Sequence, residues 1–500
     1  MEIEFNNKKF EIKPHQTVLD NQKGKPYKDF DDIAITRDES KCIGCGLCRE
    51  VCLENNNLGI PVETRVGDCL YFRPDGKMNF SDSNCTRCGQ CVLVCPTGTL
   101  SEKENIEEVK IALSDPNKCV IAQVAPSVRV SVSESFGGQI AENWEGQVVG
   151  ALKKLGFDYV FDVNVGADFT TYEEAFDLKE RIETNTLPLF TSCCPARVKF
   201  IEDFHPGLSD HITTVRSPQQ CLAVVIKTYF AKKKNIDPKD VVVVSIMPCV
   251  AKKFESRREG EDKHRQFVAG SFAIAQDESP SWDVDSVLTT REFIKMVKSA
   301  HIDLKNIQAE KFDSPLGEAS GAGAIYGASG GVMESAIRTF ADIFHGEKVD
   351  KIDYQEFRGM EGIKKATLNI GGKEIKIAIA TGLANAEKII AEINRGEIYH
   401  YVEVMACPGG CVGGGGQPKP QNVEIIDKRR EALYNIDQKK SIRKAHENPI
   451  IKQVYEEFLS CAGSAEAKKY LHTIYDKSQT RVCEIKEEKN VNEDQNFRKN

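Results

Sequence analysis

A chain of 500 residues exceeds what one simple core holds, so two or more domains are expected. Apolar residues at 40% and charged residues at 28% match an ordinary globular protein, and a formal charge of -8 argues against nonspecific nucleic-acid binding, which needs a basic face. No apolar run of roughly 18 residues occurs, so no membrane span is expected, and the opening MEIEFNNKKFEIK has neither a secretory apolar region nor an Arg- and Ser-rich presequence, which reads as cytoplasmic.

The 18 cysteines are the informative number. A disulfide scaffold is typically short and secreted. Here most cysteines sit in tight C-x-x-C clusters, a spacing that favours metal thiolates over cross-links.

In chain order, residues 1–36 begin with an alternating stretch from Ile3 to Ile12, broken by Asn6-Asn7, which reads as a hairpin leading into a polar linker. Residues 37–112 hold nine cysteines and read as a compact cluster-binding module. Its first motif is Cys42-x-x-Cys45-x-x-Cys48-x-x-x-Cys52, and its second is Cys85-x-x-Cys88-x-x-Cys91-x-x-x-Cys95, followed by Pro96. This is the bacterial ferredoxin run, in which the fourth cysteine of each motif ligates the other cluster. One [4Fe-4S] cubane then takes Cys42, Cys45, Cys48 and Cys95, and the other takes Cys85, Cys88, Cys91 and Cys52. Zinc also binds C-x-x-C pairs, but it needs only four ligands, and two complete four-cysteine runs favour iron–sulfur. Leu53 stands where a proline usually follows the first motif, a change expected to affect the turn more than the ligation. Cys69 has no partner spacing and reads as a free thiol.

Beyond about Pro116 the pattern changes. The apolar runs CVIAQVAP (119–126), VVVVSIMPC (241–249) and IKIAIATG (375–382) read as buried parallel strands, with helical segments such as Tyr172–Thr184 and Pro218–Lys234 between them. Such alternation predicts an α/β domain, here 113–477, and the polar stretch 478–500 is expected to be disordered.

Three segments of that domain carry chemistry: Thr191-Ser-Cys-Cys-Pro-Ala-Arg197, Met247-Pro-Cys-Val-Ala-Lys-Lys-Phe-Glu255 and Glu403-Val-Met-Ala-Cys-Pro-Gly-Gly-Cys-Val-Gly-Gly-Gly-Gly-Gln-Pro418. Two follow strand-like runs, and α/β sheets build sites at the carboxyl ends of strands, so these cysteines can converge. Glycines after Cys411 let the backbone approach a bulky ligand, and the run lacks the Gly-Lys-Ser/Thr ending of a phosphate loop.

At these residues the chain resembles the catalytic domain of [FeFe]-hydrogenases, over roughly residues 37–477. The resemblance implies an α/β catalytic domain with its cofactor between two lobes, plus a small α+β ferredoxin-like domain. It implies an H-cluster: a [4Fe-4S] cubane on Cys194, Cys249, Cys407 and Cys411, bridged through Cys411 to a two-iron unit carrying CO, cyanide and a dithiolate amine. The family's pocket positions fall on Ala125, Pro126, Ser127, Gln219, Met247, Lys252 (toward a cyanide), Tyr326, Gly327 and Met405. Its proton relay falls on Cys193, Glu174, Asp177, Thr213 and Arg181, with Glu173 a rival to Glu174. A thiol beside a cluster suits a relay, and Glu174, Asp177 and Arg181 share one helix face by spacing, although such a pattern is more often a solvated charged face.

The same resemblance implies reversible formation of H2 from protons and electrons, a soluble ferredoxin as electron partner and dedicated maturation proteins. A tryptophan is usual where Arg197 stands, Asp177 is shorter than the usual glutamate, and Thr213 replaces a serine. Residues 257–281 read as an inserted surface loop. The N-terminal stretch is similar to the opening of a plant-type ferredoxin domain, but its cluster cysteines are missing, and His15 reads as structural or exposed. Cys119 and Cys221 read as core residues, and Cys461 and Cys483 as free thiols. Two rivals remain, an iron–sulfur assembly factor that keeps the cubane cysteines alone and an H2 sensor. Cys193, Lys252 and the Met405 context favour catalysis.

Overall fold

The computed structural model describes residues 2–5, 8–11, 27–66, 69–77, 79–258, 282–346 and 357–475. His15, Cys483, the stretch 478–500 and most of the loop 257–281 therefore lie outside the described residues, as does the side chain of Cys69. Strands β1 (Glu2–Phe5) and β2 (Lys8–Glu11) pair antiparallel in the expected hairpin.

The cysteine-rich region is built on a small antiparallel sheet of β3 (Lys28–Asp29), β4 (Ile35–Asp38) and β7 (Leu100–Glu102), with a hairpin of β5 (Pro61–Val66) and β6 (Cys69–Pro74). Each ferredoxin-type motif ends in a helix. The helix of the second motif, Gln90–Val94, stops at Cys95 before Pro96, whereas that of the first, Leu47–Asn56, runs on past Cys52. Proline cannot continue a helix and Leu53 can, so the departure read from the sequence lengthens a helix and leaves the cysteine spacing intact.

Two four-stranded sheets follow. The first runs β12 (Ser286–Thr289), β11 (Val241–Met247), β8 (Cys119–Val124), β9 (Tyr159–Asp162), all parallel. The second runs β10 (Leu189–Phe190), β15 (Tyr401–Met405), β14 (Lys373–Thr381), β13 (Ile363–Ile370). Its β10–β15 and β14–β15 pairs are parallel, while β13 adds an antiparallel edge through a Gly371-Gly372 turn with both residues at positive φ, the conformation that favours glycine.

The helix Val163–Thr184 joins the two sheets. It begins nine residues before the stretch that periodicity picks out, because its first half, VNVGADFTT, is entirely buried and packing overrides weak propensity. Asp162 caps it by accepting from the Asn164 N–H at 3.0 Å. Val165 and Phe169 join the core around the first sheet, and Ala175 and Leu178 join the core of the second. Polar groups on this helix therefore lie between the two lobes.

Candidate functional site: converging cysteine loops and a buried acid

All three cysteine segments leave the carboxyl ends of parallel strands: Cys193 and Cys194 after β10, Cys249 after β11, and Cys407 after β15. Ala125-Pro126-Ser127 leaves the end of β8 beside them, with the Ala125 N–H donating to the Ile246 carbonyl at 3.0 Å. The thiols of Cys194, Cys249, Cys407 and Cys411 lie close enough to influence one another. Burial raises Cys411 to about 12 and Cys407 well above the usual thiol range, and each neighbouring sulfur adds to that. A buried nest of thiols is costly to ionise unless a cationic centre sits among them. The donor set therefore fits an iron–sulfur cube.

The ferredoxin-type motifs behave in the same way. Cys95 raises Cys42, Cys45 and Cys48, while Cys52 and Cys88 raise each other's neighbourhood together with Cys85 and Cys91. The fourth cysteine of each motif thus lies with the other motif's three, the exchange expected from the spacing. The second motif also touches the large domain. The Gln90 amide donates to the Gly413 carbonyl at 2.9 Å, and a Cβ on Gly89 would fall 2.6 Å from Val250, next to Cys249. Cys88 in turn feels Cys194. Three thiol nests follow one another through the molecule, and at the outer end Cys45 is exposed.

The surroundings of the inner nest are buried and apolar. Met247 and Met405 are buried, and Cys193, Tyr326 and Met405 share one apolar cluster. Gly410, at φ +97°, lays the Cys411 loop on backbone, where a Cβ would stand 2.6 Å from the Ser329 nitrogen. Gly327 leaves room in the same way, since a Cβ there would stand 2.5 Å from the Ser127 hydroxyl. Lys252 is buried and donates to the Ser217 hydroxyl at 3.0 Å and to both Glu255 oxygens at 2.9 and 2.7 Å. The Gln219 amide nitrogen also reaches Glu255, at 3.0 Å. The Ser127 hydroxyl and the Gln219 amide oxygen are buried without a partner among the described residues. Native cores rarely leave such atoms bare, and both stand at positions where the resemblance leads one to expect the two-iron unit.

Cys193 is buried beside this nest, and after burial itself Glu174 has the largest influence raising its thiol. Glu174 is fully buried. Burial lifts its carboxyl to about 7, the Tyr401 hydroxyl donates to it at 2.6 Å, and Asp177 pushes it up while Arg197 draws it down. Its other oxygen is bare. Asp177 pairs with Arg181 at 3.0 Å, and Arg181 also donates to the Asp210 and Ile212 carbonyls. Both line an open cavity of about 700 Å³ at the surface. Thr213 is buried next to this strap, its hydroxyl accepting from the Val215 N–H at 3.2 Å. The solvated charged face that the i, i+3, i+7 spacing usually means is absent at its inner end. Glu173 borders the same cavity but is already engaged, accepting from Tyr455 and the Gly463 N–H with the His472 ring 3.0 Å away.

Sequence reasoning missed three participants. Glu255 stands three residues after Lys252 inside the second segment, a helical ion-pair spacing that signals it. Glu403, which accepts from the Gly330 and Met333 N–H groups, opens the third segment. Tyr401 carries no local signal, because its partner Glu174 is remote in sequence.

Known proteins carry the same arrangement. The profile of the iron-only hydrogenase large subunit, C-terminal domain, matches residues 118–415, that of the iron hydrogenase small subunit 423–478, and a 4Fe-4S dicluster domain 41–99. The NADP-reducing hydrogenase subunit HndD of Solidesulfovibrio fructosivorans is 42% identical over 91% of this chain and 76% of its own. Iron hydrogenase 1 of Clostridium pasteurianum is 38% identical over 90% and 77%. The cytosolic Fe-S cluster assembly factor narfl of Xenopus tropicalis is 29% identical over 82% and 87%. A variant of the apo [FeFe]-hydrogenase HydA1 of Chlamydomonas reinhardtii superposes with a TM-score of 0.64 at 35% identity, covering 74% of this chain and 98% of that one. With its dicluster domain, its H-cluster domain and its parallel-sheet lobes, the chain belongs to the iron-only, or [FeFe], hydrogenase family of oxidoreductases acting on H2.

Proposed function

We propose that the chain catalyses the reversible reduction of two protons by two electrons to H2. The observation that carries this reading is Cys193, a buried thiol adjacent in sequence to Cys194 but outside the cubane set, coupled to a buried acid that titrates near neutrality. An assembly factor holding only a cubane needs neither.

In this reading Cys194, Cys249, Cys407 and Cys411 would hold the cubane, with Cys411 the sulfur nearest the two-iron unit. Ala125, Pro126, Ser127, Gln219, Met247, Lys252, Tyr326, Gly327 and Met405 enclose that unit. When bound, the H-cluster supplies an open iron site of low potential beside a basic amine. The chain's own residues supply the rest. Arg181 holds Asp177 at the surface cavity through its ion pair, and Asp177 and Thr213 pass protons inward. The bare oxygen of Glu174 carries a proton to the Cys193 sulfur, and a carboxyl near pKa 7 both accepts and donates with little loss at neutral pH. Met247, Met405 and Tyr326 exclude water around the last step.

Electrons enter the 37–112 module at the exposed Cys45 and pass through its two clusters to the 113–477 domain, with a soluble ferredoxin as the partner. Sixteen described cysteines without a disulfide suit a reducing cytoplasm. A two-iron unit held by one protein sulfur requires maturation proteins to deliver it. The test is H2 evolution from reduced methyl viologen after anaerobic maturation, with Cys193→Ala beside the wild type. Activity that collapses in the variant supports both enzyme and relay, and activity that survives removes Cys193 from the path. A silent wild type lacking CO and cyanide infrared bands would hand the chain to the assembly-factor reading.

A further inference from the structure

Arg197 occupies the first turn of the helix Pro195–Phe204, its N–H donating to the Cys194 carbonyl at 3.1 Å. It is 0% exposed, and none of its three guanidinium nitrogens has a hydrogen-bond partner among the described residues. Other buried arginines here are ion-paired: Arg129 with Asp162 and Glu145, and Arg429 with Glu134. The groups that act on Arg197 are Tyr475, Cys193, Cys194 and Glu174. Glu174 spends one oxygen on Tyr401, and no hydrogen bond joins it to Arg197.

A guanidinium stays protonated in proteins, so a buried arginine without a hydrogen-bond partner among the described residues needs a negative charge nearby. Neither carboxylate nor phenol pairs with it directly. The remaining source is sulfur. A cubane held by four thiolates is a net dianion, and reduction by one electron adds a further negative charge. A fixed cation near Cys194 therefore favours the reduced cubane over the oxidised one.

We infer that Arg197 is a positioning charge that raises the reduction potential of the cubane on Cys194, Cys249, Cys407 and Cys411. The inference rests on the cluster assignment under the proposed function. It places the electron that arrives from the Cys85–Cys88–Cys91 cluster in a deeper well at the inner cubane than a neutral side chain at position 197 would give. The two outer cubanes, whose ligands are not among the main groups acting on Arg197, should shift less and serve as internal controls.

The experiment is an anaerobic redox titration of the matured enzyme, followed by infrared for the CO bands and by electron paramagnetic resonance for the cubanes. Wild type is compared with Arg197→Gln, Arg197→Trp and Arg197→Lys. The inner cubane should accept an electron about tenfold less readily in the Gln and Trp variants, a fall of about 59 mV for a one-electron couple. Arg197→Lys should restore most of the wild-type value, and the outer midpoints should shift less. An inner midpoint unchanged in Arg197→Gln with full iron content overturns the inference, as does an equal fall in Arg197→Lys. A wild type without CO bands defeats the hydrogenase reading separately, while the resonance titration of the cubanes still decides the role of Arg197.

Discussion

Glu173 and Glu174 are neighbours on one helix, both buried, with opposite fates. Glu173 borders the surface cavity but is fully engaged: Tyr455 and the Gly463 N–H donate to it, and His472 stands 3.0 Å away. Glu174 lies deeper, with the Tyr401 hydroxyl on one oxygen, the other bare, and a carboxyl lifted by burial to about 7. Buried polar atoms are normally satisfied, so bare ones mark places where something else is expected to bind or to move. The bare atoms of Ser127, Gln219, Arg197 and Glu174 gather around the inner thiol nest. The satisfied side of the helix builds the protein, and the unsatisfied side works.

The sharpest way to break this comparison is Glu174→Gln. An amide keeps the shape and cannot carry a proton, so H2 evolution should fall by about 10²–10⁴, the usual worth of a positioned acid–base group. Infrared bands of the loaded cluster should remain. Full activity in the variant would place the proton route elsewhere.

Tyr401→Phe should act next, by several-fold. It removes the side-chain hydrogen bond that stabilises the ionised Glu174, so the carboxyl titrates higher and the limb of the pH–rate profile it governs moves to more alkaline pH. A profile that stays in place would show that the carboxyl does not control the rate.

Glu173→Gln should do the reverse of Glu174→Gln. It leaves buried donors poorly matched and costs about 1–3 kcal/mol of stability, read by anaerobic thermal melting, while activity per folded molecule is kept. A larger loss of turnover than of stability would move Glu173 into the relay and dissolve the contrast.

Much of the site was legible in the sequence because iron–sulfur ligation is local. C-x-x-C spacing wraps three corners of a cube within one turn, so the outer cysteines and their exchange of Cys52 and Cys95 could be read before any fold was known. The strand before Cys249 was legible for a similar reason, as a run of buried β-branched residues. What escaped depends on distance in the chain. Tyr401 meets Glu174 only because β15 packs under the joining helix, and the choice of Glu174 over Glu173 is a matter of helix rotation that pattern alone leaves open. The antiparallel β13 edge was missed although Gly371-Gly372 announces a tight turn. The burial of Arg197 was signalled only by the tryptophan usual at that position, since an arginine by itself reads as surface.

The smallest effect separates the two carboxyls by pH alone. The ordinary value for Glu174 is 4.5 and its folded value is about 7, so between these limits the folded chain holds a proton that the unfolded chain has lost. Stability tied to this group is fully present below the ordinary value and drains away as pH rises through the folded one. Glu174→Gln has no such proton to lose. Melting temperatures measured from about pH 5 to about pH 8 should therefore fall by a few degrees more in the wild type than in Glu174→Gln, since about 1 kcal/mol shifts a domain of this size by roughly 2–4 °C. Parallel curves would mean that Glu174 is ionised throughout. A group that never holds a proton near neutrality could not pass one to Cys193.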